Sequence, residues 1–323
     1  MTSKPAKDRI LLFGATGTIG RAVLDVLRAS GKGVLCVVRR KSQSKLPAEV
    51  KTVEADVTDA DEMRAVFQNG PFAAVISCMA SRTGAPADAW AIDHHANSLA
   101  LTGAKFAGVP KFILLSAICV QKPRLAFQHA KRAFEQELID SGLIYSIVRP
   151  TAYFKSLSGQ IKRVQAGKPF LVFGDGTLTS CKPISDADLA SYIVSCLGDP
   201  QKQNQILPIG GPGPAITPMD QAAMLSELLG RDVKVRYVPI AMMNAIIGGL
   251  SVAGWCSAKM RDKAEFARTG RYYATESMLV WDKGMQRYDA DATPEFGADT
   301  LRAFYARVLS GEETVELGDQ GVF

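Results

Sequence analysis

Three glycines spaced three apart, in Phe13-Gly14-Ala15-Thr16-Gly17-Thr18-Ile19-Gly20, directly follow the apolar run Arg9-Ile10-Leu11-Leu12-Phe13. They open the helical pattern Arg21-Ala22-Val23-Leu24-Asp25-Val26-Leu27. The chemistry open to such a turn is anion binding. A helix start presents unpaired N–H groups and the positive end of a dipole, which suits a pyrophosphate. Gly14 permits the turn, Gly17 lets the backbone approach phosphates, and Gly20 lets helix and strand pack closely. Thr16, Thr18 and Ile19 fill the remaining positions of this expected cradle.

A second apolar run, Gly33-Val34-Leu35-Cys36-Val37-Val38, ends in Arg39-Arg40, where a dinucleotide fold meets the adenosine ribose. An acidic residue there accepts hydrogen bonds from a free 2′-hydroxyl, whereas arginine pairs with a 2′-phosphate. The pair therefore points to NADPH over NADH. A third run, residues 50–55, leads to Asp56-Val57, placed to border the adenine.

The G-x-x-G-x-x-G spacing resembles that of the short-chain dehydrogenase/reductase group. Members acting on carbonyls carry Tyr-x-x-x-Lys on the helix after the fifth strand. The phenol protonates the substrate oxygen, and the lysine holds the nicotinamide ribose. Here that place reads Phe127-Gln128-His129-Ala130-Lys131, so the lysine is present and the phenol is missing. A site without the phenol is poorly equipped for an alkoxide, which favours reduction of a conjugated C=C bond, or cofactor binding without turnover. Ser116 and Cys119 follow the fifth strand, and Tyr153 after the sixth is the nearest alternative phenol. Lys131, Tyr153 and Cys119 are the catalytic candidates. Ser77 and Cys78 at the fourth strand's end, Ser116, Lys131 and Pro150 complete the expected cofactor contacts. His129 is read as structural.

The elements that must position these residues alternate through the first half. Residues 72–78, 111–116 and 145–149 read as the fourth, fifth and sixth strands, with helices over 89–107 and 126–140. Continuous apolar strands separated by helices predict an α/β, doubly wound parallel sheet, the Rossmann arrangement, with ligands beyond the strands' carboxyl ends. Residues 1–150 are expected to form the NADP-binding domain. Residues 151–323 are expected to form a smaller substrate-binding part, with segments such as 206–209 returning to the sheet. Lys182 to Asp188 starts a helix, Thr217-Pro218-Met219-Asp220 caps another that ends at Gly230, and 233–238 is a short strand. Residues 240–256 are apolar except for Asn244 and Ser251 and are flanked by Lys259, Arg261 and Lys263. They are too short to span a membrane. A buried core helix, an apolar lid over a greasy substrate and an interfacial membrane contact are the three readings.

The 323 residues, 47% of them hydrophobic, suffice for a large core, and a net charge of +6 is modest. No basic arm or zinc module appears, so nucleic acid is not an expected partner. Six scattered cysteines without C-x-x-C pairs, and three histidines without ligand spacing, indicate neither disulfides nor a metal. The short polar stretch before the first strand is read as a bacterial protein, expected in the cytoplasm, or a mature form, rather than a plastid precursor.

Four stretches narrow the reading: Ser77-Cys78-Met79-Ala80-Ser81-Arg82-Thr83-Gly84, Leu115-Ser116-Ala117-Ile118-Cys119-Val120-Gln121-Lys122-Pro123, Val148-Arg149-Pro150-Thr151-Ala152-Tyr153-Phe154-Lys155-Ser156 and Tyr288-Asp289-Ala290-Asp291-Ala292-Thr293-Pro294. With Phe127-Gln128-His129-Ala130-Lys131, they resemble the NADPH-dependent divinyl chlorophyllide 8-vinyl reductases over nearly the whole chain. The resemblance implies reduction of the C8 vinyl group of a tetrapyrrole to ethyl in chlorophyll or bacteriochlorophyll synthesis. Two rival readings share the fold: a non-catalytic NADP-binding redox sensor, and an isoflavone-reductase-like enzyme acting on a smaller phenolic substrate.

Overall fold

The computed structural model describes residues 9–40, 46–255 and 257–315, so the polar start of the chain and Cys256 lie outside it. Apolar runs too continuous for a one-sided sheet form its centre. β1 (Arg9–Phe13) is buried from Ile10 onward, and it leads through the glycine turn into α1 (Thr18–Ala29). β2 (Gly33–Val38), β3 (Thr52–Glu54), α2 (Ala60–Phe67) and β4 (Ala74–Ser77) follow. The strand order is β3-β2-β1-β4, continuing through β5 (Lys111–Leu115) and β6 (Ile144–Pro150) to β8 (Gln205–Ile209). β1 runs parallel to both β2 and β4, with Phe13 opposite Val37 on one side and Ser77 on the other. The order reverses between β1 and β4, and a crevice at such a switch point is where these sheets take ligands. The doubly wound parallel sheet read from the sequence is the fold, and residues 206–209 do return to it.

The chain divides into two compact units. The first comprises Met1–Arg82, Pro86–Arg149 and Asp186–Leu207, so α7 (Asp186–Ser195) belongs to it and packs on α1. Its core joins Phe13, Val37, Phe67, Phe112 and Phe134 across one face of the sheet. The second comprises Thr83–Ala85, Pro150–Ser185 and Pro208–Phe323. In it, β7 (Phe170–Phe173) pairs in parallel with β9 (Val235–Val238). Around that pair lie α6 (Ile161–Gln165), α8 (Pro218–Leu229), α9 (Ile240–Ala253), α10 (Ala258–Thr275), the β10 (Val280–Asp282) and β11 (Arg287–Asp289) ribbon, and α11 (Leu301–Ser310). Phe154, Val172, Leu225, Phe304 and Tyr305 form its core. The helix start at Thr217 is as read: Thr217 Oγ1 accepts from Asp220 N at 3.2 Å, Asp220 Oδ2 accepts from Thr217 N at 2.8 Å, and Gly230 ends the helix at φ 61°.

Two expectations need correction. The helix predicted over 89–107 is not continuous. α3 (Pro86–Ala89) widens into a π-helical stretch, Trp90–Ala96, before α4 (Asn97–Phe106) resumes. The wider turns free carbonyl groups, and the Asn97 carboxamide takes them up, donating to Ile92 O at 3.1 Å and Asp93 O at 3.3 Å. Second, α9 is no core helix, for none of its residues is buried. Hydropathy shows that a segment is apolar but not what lies against it.

Candidate dinucleotide site

Everything at the switch point is built from the end of β1. Gly14 sits at φ 77°, a conformation open mainly to glycine, and its carbonyl accepts from Gly17 N at 3.0 Å. A Cβ on Gly14 would lie 2.5 Å from the Cys78 carbonyl oxygen, so the turn presses against the end of β4. A Cβ on Gly20 would lie 2.1 Å from Gly14 O. The close approach at Gly20 is therefore to the turn rather than to the strand. Gly17, extended at φ −79° and ψ 168°, is the cap of α1 and has no side chain to occupy the first turn, which holds no acidic residue. Gly17 and Thr18 face solvent, Thr16 is half-buried, and Ile19 and Gly20 are buried. The result is an open, positively polarised helix start of the kind that receives a phosphate.

Gly20→Ala is expected to force the turn open. Stability should fall by about 1–3 kcal/mol, and NADPH affinity, read by fluorescence titration, should fall with it. Gly17→Ala, whose Cβ would meet only Gly14 O at 3.4 Å, should keep its melting temperature. A Gly20→Ala protein with unchanged melting and affinity would remove the interlock from the argument.

Arg39 and Arg40 stand exposed after β2, but they are not equivalent. Arg40 reaches Glu62 Oε1 at 3.0 Å, and the other oxygen of Glu62 accepts from Asp56 N at 2.7 Å. Arg39 has no ion pair among the described residues and is the guanidinium open to a phosphate. Asp56 turns inward on its own loop: Oδ1 accepts from Thr58 Oγ1 at 2.7 Å and Thr58 N at 2.9 Å. These bonds, followed by the charges of Arg40 and Arg39, hold its carboxyl below the usual range. Val57, next to it, packs on the core.

Past β4 the side chains are committed to structure. Ser77 is fully buried, and its hydroxyl donates to Asn97 Oδ1 at 2.6 Å. Burial pushes the Cys78 thiol up to about 12, against the pull of the Lys131 ammonium. Ser116, after β5, is 3% exposed, and its Oγ has no partner among the described residues. A hydroxyl buried without a partner is costly, and a bound ligand would relieve it. Cys119 is buried in the short 3-10 turn Ile118–Gln121, while Pro150 closes β6. Tyr153 belongs to the second unit, where its backbone bridges to Ile184.

Lys131 lies on α5 (Ala126–Ile139) one turn after Phe127, and it is no surface charge. Its Nζ sits 2.9 Å from Asp93 Oδ1, with the carboxylate side chain wholly buried and the lysine side chain 11% exposed. Ser81 Oγ donates to Asp93 Oδ2 at 2.6 Å, and Ser81 N reaches Oδ1 at 3.3 Å. Asp93, on the π-helical stretch, was not singled out from the sequence, where it reads as one polar position in a helix. α5 is itself fixed at both ends. Gln128 Oε1 accepts from Arg124 N and Leu125 N, at 2.7 and 3.1 Å, and Arg149 on β6 grips both carboxylate oxygens of Glu135. His129, by contrast, is exposed. The open glycine turn, the exposed Arg39, the buried Ser116 hydroxyl and the braced Lys131 fit a phosphorylated nicotinamide dinucleotide. Among the described residues no acidic, thiol or imidazole cluster could hold a metal.

Comparison with known proteins agrees with this geometry. An NAD(P)H-binding family model matches residues 14–200. The chain is 46% identical to the chloroplastic divinyl chlorophyllide a 8-vinyl-reductase of Oryza sativa subsp. indica, over 99% of this chain and 83% of that protein. The Arabidopsis thaliana protein of the same name is 44% identical over 98% of this chain and 81% of its own. Among solved structures, the NADPH-dependent quinone oxidoreductase of Escherichia coli, complexed with NADPH, superposes with a TM-score of 0.64 at 18% identity. That match covers 93% of this chain and 99% of the other, and it bears on the fold alone.

Proposed function

Since the chain belongs to the divinyl chlorophyllide a 8-vinyl-reductase family of NAD(P)H-binding proteins, we propose that it uses NADPH to reduce the C8 vinyl group of a divinyl chlorophyllide to ethyl. The observation that carries this reading is the lysine site without its phenol: a braced Lys131 with Phe127 one turn before it. When bound, NADPH supplies the hydride for one vinyl carbon.

The chain's own residues do the rest. The start of α1 at Gly17 and Thr18 takes the pyrophosphate, and Arg39 takes the 2′-phosphate. Ser116 Oγ and Lys131 Nζ hold the nicotinamide ribose. Asp93 keeps the ammonium from turning away while leaving it donors to spare, since an ammonium has three. Negative charge arising on a vinyl group spreads into the macrocycle, so no phenol or oxyanion site is required at position 127. The second carbon takes a proton from water or a nearby side chain.

Mixing the protein with NADPH and divinyl chlorophyllide should produce an NADPH-dependent blue shift of the Soret band. Lys131→Ala should weaken NADPH binding about tenfold, the value of one charge-assisted hydrogen bond, and slow turnover. Phe127→Tyr should not raise activity. A pigment spectrum untouched in the presence of tightly bound NADPH would leave a redox sensor as the function.

A further inference from the structure

The apolar segment singled out in the sequence is the element that the reduction does not use. α9 carries no charge, and its two polar side chains are both spent on α10. Asn244 Oδ1 accepts from Arg271 Nε at 2.5 Å, and Ser251 Oγ accepts from Arg268 at 2.8 Å. Those bonds fix which face looks outward. Met242 and Ile246 are each 50% exposed, Val252 is 69% exposed, and Trp255, just past the helix, is 87% exposed. Spaced by four, Ala241, Ala245, Gly249 and Ala253 fill in the same stripe, all of them exposed. A continuous apolar stripe of this kind marks a contact surface rather than ordinary exterior.

Charge says what the contact is. Arg236 precedes α9, and Lys259, Arg261 and Lys263 follow it; all four are exposed, with Asp262 the acid among them. An apolar strip bracketed by cations and ending in an exposed indole matches the boundary of an anionic bilayer, where acyl chains, a belt suited to tryptophan and negative headgroups lie in sequence. Fourteen residues of helix are about 21 Å long, short of the roughly 30 Å hydrocarbon core. No helix among the described residues is long and apolar enough to cross a membrane. We propose that α9, with Trp255 and the basic start of α10, lies in the plane of a membrane surface rich in anionic lipid and anchors the enzyme there. A chlorin partitions into such a surface, so the anchor would place the enzyme beside its substrate.

Sedimentation of the full chain with vesicles tests this without any turnover. Vesicles containing about one-third phosphatidylglycerol should carry down the protein, with at least tenfold less bound to pure phosphatidylcholine or in high salt. The double variant Met242→Glu/Ile246→Glu should lose at least tenfold in binding while its NADPH affinity stays unchanged. Trp255→Phe should abolish the lipid-induced blue shift of tryptophan emission. Failure of the unmodified chain to sediment with anionic vesicles overturns the proposal, as does sedimentation of the double variant like the parent. A parent that is dimeric in solution and becomes monomeric in the double variant, without lipid binding, assigns the stripe to a second copy instead. Loss of pigment affinity in lipid-free solution assigns it to the substrate. None of these outcomes touches the Soret experiment, so the two readings stand or fall separately.

Discussion

Asp93→Ala is expected to cost about 3–5 kcal/mol of folding stability, more than any surface substitution in this chain. The carboxylate is wholly buried and accepts from Lys131 Nζ, Ser81 Oγ and Ser81 N. Removing it strands an ammonium that is itself nearly buried, and an uncompensated buried charge outweighs the small cavity left behind. Replacing both partners separates structure from chemistry. In Asp93→Leu/Lys131→Met no charge remains to be stranded, so most of the stability should return. Vinyl reduction and NADPH affinity should not return, because the donor to the ribose is gone. Urea denaturation and NADPH titration of Asp93→Leu, Lys131→Met and the double variant form a closed cycle. A cost below about 1 kcal/mol for Asp93→Ala would mean that the pair is not sealed from water. A double variant with parental turnover would remove Lys131 from the reaction altogether.

The second large effect concerns cofactor choice. Arg39→Ala should weaken NADPH binding by about 10- to 100-fold, the 1.5–3 kcal/mol of hydrogen bonds to a charged group, and leave NADH binding unchanged. Arg40→Ala should do less, since Glu62 already engages that guanidinium at 3.0 Å. Removing Arg40 also releases Glu62, which bonds to Asp56 N, so any effect should extend equally to NADH through the adenine-side loop. The decisive quantity is the ratio of NADPH to NADH dissociation constants for each variant. A larger change in that ratio for Arg40→Ala than for Arg39→Ala would reverse the two assignments.

The contrast between these arginines shows how far sequence reasoning reaches. Adjacent residues of one type at the end of a strand are indistinguishable until Glu62, 22 positions later, is known to fold back onto one of them. Strand positions were legible because both faces of the sheet are covered, so β1, β2, β4 and β5 appear as unbroken apolar runs. The glycine turn was legible because its spacing is local. Asp93 was not legible: it lies in a stretch whose composition is helical, and its importance comes from Lys131, 38 positions away. The π-helical departure that presents Asp93 depends on Asn97, one of many polar residues on that helix. For α9 composition and burial diverge, because an apolar helix on the outside has the same sequence signature as one in the core. The second unit was the hardest to read, since its short strands β7 and β9 find each other across more than sixty residues.

The backbone leaves the first unit at Arg82 and Arg149 and returns to it at Pro86 and Asp186, finishing only at Leu207. On a ribosome, then, the sheet that grips the cofactor cannot be completed when its first six strands have emerged. α1 must wait for α7, and β6 for β8. A nascent chain stalled before that point would expose the edge of β6 that β8 later covers.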